Sequence, residues 1–206
     1  MTIELGAALG LGLFAGLGIA VPPGAVSVLV VQEAIRDARS GVAAALGVAI
    51  VDTAACALAL AGGALLVSSM SGLGEWPAVV GGLVLFTVGA LGMRPAVLAP
   101  SPAPEPPRSR PAATTVRFIA LTAGNPATLL YFLAFALGVQ AGGPLAAVIV
   151  ATAAGVASLI WHLALVAIGH QLGRMLGPGM RQALRVFGAL VVMTLGISVV
   201  VGAVAG

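Results

Sequence analysis

The sequence predicts an all-α, polytopic membrane protein with six transmembrane helices, and three observations predict it. The chain is 60% hydrophobic and 7% charged, against roughly 25% charged in ordinary soluble domains. So few charges cannot cover the surface of a soluble chain of 206 residues. The apolar residues form six long runs, not scattered strand-length pieces. All nine arginines, with no lysine beside them, fall at the ends of these runs or between them, on alternate connections.

The first run covers residues 4–31 and is interrupted by Pro22-Pro23-Gly24. The second covers 41–67 and the third 76–93, the shortest at 18 residues. Residues 94–116 form a proline-rich loop, with "RPAVLAPSPAPEPPRSRPAAT" at 94–114 reading as extended chain. The fourth run, 117–139, holds a second break at Gly124-Asn125-Pro126. "QAGG" alone separates it from the fifth run, 144–169, so a tight turn must join them. The sixth is 183–205. Most runs have 20 residues or more, enough to cross about 30 Å of hydrocarbon.

Five spans plus one re-entrant segment is the rival count, and the arginines favour six. Arg36 and Arg39 follow the first run; Arg94, Arg108, Arg110 and Arg117 lie between the third and fourth; Arg174, Arg181 and Arg185 lie between the fifth and sixth. With six spans all nine share one side, and Glu4 and Glu75 lie on the other. The positive-inside rule makes the arginine side cytoplasmic and puts both termini outside. The chain then divides into a three-helix repeat at 1–93, a cytoplasmic loop at 94–116 and a second three-helix repeat at 117–206. Each repeat opens with a broken helix, which is how inverted-repeat transporters are built.

Several functions are excluded or disfavoured. No GxSxG, HExxH or GxxxxGK[ST] pattern occurs, so neither an enzyme nor an ATP-driven pump is expected. One cysteine, Cys56, allows no internal disulfide and no cysteine-pair metal site; no cofactor is implied. The arginines do not gather on a soluble face, so nucleic acid is not a partner. Membrane lipid, protons and a small-molecule substrate are. Small residues four apart, such as Gly12 and Gly16 or Ala43 and Gly47, allow close helix packing, within the chain or in a homodimer.

The candidate site follows from what a bilayer forbids. Proline has no N–H and clashes with the preceding turn, so each break frees backbone carbonyls, which lipid does not tolerate unless protein or water covers them. Pro23 and Gly24 in one half, and Asn125 and Pro126 in the other, lie roughly 12–15 Å from the arginine side at about 1.5 Å per residue, so they can meet. Asp52 lies eleven residues beyond Gly41, close to midplane, where a carboxylate is costly and usually functional. It can carry a coupling proton, or it can be a structural group capped by Thr53 or a facing hydroxyl. His162 suits a proton relay or a satisfied structural role equally. Tyr131 and Thr122 are further lining groups, Thr128 shares the helix of Tyr131 after the break, and Cys56, one turn beyond Asp52, reads as packing.

These segments resemble the LysE/RhtB family of bacterial amino-acid exporters. "VPPGAVSVLVVQEAIRDARSGVAAALGVAIVD" at 21–52 is similar to the family's first two elements, and "FIALTAGNPATLLYFLAFALG" at 118–138 to its Asn-Pro span. Two departures stand out: the family's Pro-Gly-Pro falls on Pro23-Gly24-Ala25, and its third-span Tyr-Leu on Val84-Leu85. The resemblance implies a bacterial plasma-membrane protein that exports amino acids or related metabolites by proton antiport. A non-transporting scaffold or assembly subunit and a passive channel are the alternatives.

Overall fold

The computed structural model describes residues 5–22, 24–70, 76, 79, 83, 86, 87, 90, 110–138, 143–175 and 177–205. The expected third span lies mostly outside them, as do Pro23 and residues 94–109. Seven helices are described: α1 (Leu5–Ala20), α2 (Ala25–Arg36), α3 (Ala38–Met70), α4 (Pro111–Ala123), α5 (Pro126–Gly138), α6 (Pro144–Met175) and α7 (Pro178–Ala205).

Both expected breaks are present. The chain bends by 78° between α1 and α2 and by 62° between α4 and α5. Among the described residues, two helices are long and apolar enough to cross a membrane, at Ala38–Gly62 and Pro144–Met175; counting each bent pair as one span gives four. Several ends differ from the sequence expectation. Helix α4 begins at Pro111, six residues before the expected start at Arg117, because proline at the first helical position gives up only an N–H that has no intrahelical acceptor. Helix α2 runs on to Arg36, where Asp37 ends it and then caps α3 by accepting the Ser40 backbone N–H at 3.0 Å. In α3 the backbone leaves helical geometry at Gly62.

The packing inverts that of a soluble protein. Alanine dominates the interior, while Leu13, Phe14, Leu46, Ile50, Ile160 and Ile168 point outward. Leaving such side chains in water would cost about 25 cal/mol per Å² of apolar surface. A bilayer removes that cost, and small interior residues let backbones approach closely. Gly12 and Gly16 of α1 show this: a Cβ on either would land on the Val150 or Ala154 backbone of α6.

The buried apolar residues form two clusters. One joins Val30 of α2, Val48 of α3, Phe118 and Leu121 of α4, and Val166 of α6. The other joins Ala15 of α1, Cys56 and Ala59 of α3, Phe132 of α5, and Val150 of α6. Each bent helix therefore puts one half in each cluster. The two bent helices cross between the clusters in opposite senses, and so do α3 and α6. Helix α7 packs against α2.

Candidate functional site

Between the two clusters, polar residues interrupt the apolar ones on α3, on α6 and at the break between α4 and α5. On α3, Asp52 lies between Val48 of one cluster and Cys56 of the other. On α6, Ser158 and His162 lie between Ala154 and Val166. Thr122 and Thr128 flank one break, and Pro22 and Gly24 flank the other. The buried Asp52, Ser158 and His162 of the two continuous helices thus lie at the level between the clusters where the bent helices are interrupted.

All of these polar and break-flanking residues except Ser158 line one cavity of about 60 Å³. Gly24, Ser27, Asp52, Thr122, Asn125 and His162 line it, and Ile19, Val26 and Val48 add apolar wall. A cavity this size holds a few waters but is smaller than the roughly 150 Å³ that admits benzene, so it must widen to take any larger molecule.

Asp52 is 2% exposed and accepts a hydrogen bond from the Ser158 hydroxyl at Oδ2, at 2.5 Å. Ser158 is fully buried and His162 is 2% exposed. His162 Nδ1 lies 2.8 Å from the Ser158 carbonyl oxygen and 3.3 Å from its Oγ. A carbonyl only accepts, so Nδ1 carries a proton, and in the neutral ring Nε2 is the nitrogen left to accept. Asp52, Ser158 and His162 thus form one chain of contacts across α3 and α6. Thr53 does not cap Asp52, because its hydroxyl bonds to the Ala49 carbonyl at 2.8 Å. The facing hydroxyl is Ser158. The sequence reading did not single it out, although its spacing of four from His162 puts both on one helix face.

The two breaks differ at their helix starts. Asn125 caps α5 by accepting the Ala127 backbone N–H at its Oδ1, at 3.1 Å. Gly24 precedes α2 in extended geometry and has no side chain to cap it. Of the remaining candidates, Pro126 opens α5, and Pro23 lies outside the described residues. Tyr131 is not among the cavity residues; its hydroxyl bonds to the Ala15 carbonyl of α1 at 2.9 Å. Cys56 is fully buried in an apolar cluster, as expected for packing. His170 is exposed.

A carboxylate also stands at the far end of α2. Glu33 is 6% exposed and accepts from Arg117 of α4 at 3.0 Å, with Arg36 at 3.7 Å. The pair ties the two bent helices together.

Residues 17–203 match the family described as LysE type translocator. The chain belongs to that family. No curated protein and no solved structure matches it. As a LysE type translocator it is a multi-pass membrane transporter of small molecules and not an enzyme. The bent helices and the polar seam between them are therefore features of a transporter.

Proposed function

We propose that this translocator is a secondary exporter of amino acids or related small metabolites, driven by proton antiport, with Asp52 as the exchange site. One observation carries the reading: the buried carboxylate, His162 and residues from both helix breaks face a single cavity. Proton and substrate compete for Asp52, since one carboxylate cannot hold both. When protonated it releases the substrate amino group, and when ionised it receives that group. This couples the two fluxes without a second carboxylate at the cavity.

The same reading takes six spans, arranged as two inverted repeats at 1–93 and 117–206 around the loop at 94–116. The opposite senses of the bent pairs support it. So does chain direction: α3 runs from the Val48 cluster to the Ala59 cluster, and α4 belongs again to the first of these. We assign the arginine-bearing connections, with Arg36 and Arg39 after α2 and Arg117 in α4, to the cytoplasm of a bacterial cell, with both termini outside. The lipid-facing residues leave room for a homodimer.

Inverted vesicles with an acidic lumen test the function. Their cytoplasmic face is outward, so an exporter accumulates a labelled amino acid as protons leave. Flux that ignores the gradient would instead indicate a channel, and no flux across a broad panel would favour a scaffold.

A further inference from the structure

We propose that the carboxylate of the transported molecule is received at the start of α2, by the Ala25 and Val26 backbone amides together with the Thr122 hydroxyl. The proposal rests on the exporter reading and deepens it, because it fixes how the substrate lies and what it must carry.

The first observation is the asymmetry of the two breaks. Both helix starts, α2 and α5, present backbone N–H groups with no intrahelical acceptor, and a helix start carries partial positive charge. At α5 the Asn125 side chain occupies that position by accepting from Ala127. At α2 no side chain does, because the capping residue is Gly24. Its first helical hydrogen bond among the described residues is from Val28 to Gly24. Ala25 and Val26 are buried against the cavity with no acceptor among the described residues.

The second observation is independent. Thr122 Oγ1 has no hydrogen-bond partner among the described residues, although the residue is 1% exposed. Several other helical threonines satisfy their hydroxyls locally: Thr53, Thr115, Thr152 and Thr194 each donate to the carbonyl four residues back. Thr122 makes no such bond, and it lines the same cavity as Ala25 and Val26. A buried hydroxyl without a partner is costly, and it is retained where a water or ligand supplies the partner. It comes from α4, the other bent helix, so α2 and α4 face the carboxylate from two sides.

Asp52 lines the same cavity and takes the opposite charge. A substrate held by both carries a carboxylate beside a protonated amine, and its side chain meets Ile19, Val26 and Val48. Free α-amino acids fit. Their amides, esters and decarboxylated amines lack the group that α2 and Thr122 receive.

The test uses full-length protein in lipid nanodiscs, with wild type, Thr122→Ser and Thr122→Val titrated with the common L-amino acids and with the α-carboxamide of each binder. Expected are amino-acid binding by wild type and Thr122→Ser, binding of each carboxamide at least tenfold weaker, and an amino-acid affinity about tenfold lower in Thr122→Val, the loss of one hydrogen bond to a charged group. Without ligand, Thr122→Val should melt no lower than wild type, since its hydroxyl bonds to nothing among the described residues; this separates a binding role from a structural one. Equal binding of acids and carboxamides, or an unaltered affinity in Thr122→Val, overturns the proposal and leaves the exporter reading standing. If no amino acid binds and none is taken up by acid-lumen vesicles, the exporter reading fails and the proposal falls with it.

Discussion

Removing Arg117 should destabilise the protein more than removing its partner Glu33, and burial gives the reason. Glu33 is 6% exposed, whereas the Arg117 side chain is 49% exposed. In Arg117→Gln the buried carboxylate keeps only Arg36, at 3.7 Å. In Glu33→Gln the guanidinium can turn to water. At 3.0 Å the pair's Coulomb energy is about 5 kcal/mol at an effective dielectric near 20. Solvent screens half-exposed Arg117, and Arg36 replaces part of the attraction, which leaves a cost of about 2 kcal/mol for Arg117→Gln. Glu33→Gln should cost about 1 kcal/mol or less, since its amide still accepts a hydrogen bond and no buried charge is stranded. The double variant should cost less than the two single costs added together. Thermal melting of ligand-free protein in nanodiscs reads this as a drop of about 4–8 °C for Arg117→Gln. The reasoning is refuted if Glu33→Gln melts lower than Arg117→Gln, or if the two effects simply add.

Other expectations follow from single contacts. Ser158→Ala strands Asp52 Oδ2 and should lower stability by about 1–3 kcal/mol, while Ser158→Thr keeps the hydroxyl; melting temperatures compare the two. Gly16→Val drives a side chain into the Ala154 backbone and should cost about 1–3 kcal/mol, whereas Gly10→Val on the same helix meets nothing within 4 Å and should be close to neutral. Pro104→Cys on a Cys56→Ala background should react with an impermeant thiol reagent only from the cytoplasmic face; reaction only from outside would reverse the topology.

The sequence carries the breaks and the deep carboxylate openly, because both violate what a bilayer permits. Proline in an apolar run and aspartate at midplane each stand out against about twenty apolar neighbours. Asn125 and His162 stand out for the same reason, and all of them reach one cavity. Other groups were harder to read for physical reasons. Ser158 is small and common in membrane helices, and its partner Asp52 is 106 residues away in the chain. Glu33 pairs with Arg117, 84 residues away, and nothing local in the sequence marks that contact. Thr122 was seen only as a lining group, since an absent hydrogen bond leaves no mark on a sequence. Tyr131 sits close to a break, yet its rotamer takes the hydroxyl to α1.

Asp52→Asn tests the central claim most directly. Neutral asparagine costs less to bury than a carboxylate and can still accept from Ser158, so the variant should insert and fold like wild type. In inverted vesicles with an acidic lumen it should show no gradient-driven accumulation of any amino acid that wild type accumulates. Amino-acid exchange without net proton movement should also be lost, because Asp52 holds the amino group as well as the proton. Accumulation at the wild-type rate, with the wild-type dependence on pH, would contradict the account and make Asp52 a structural residue.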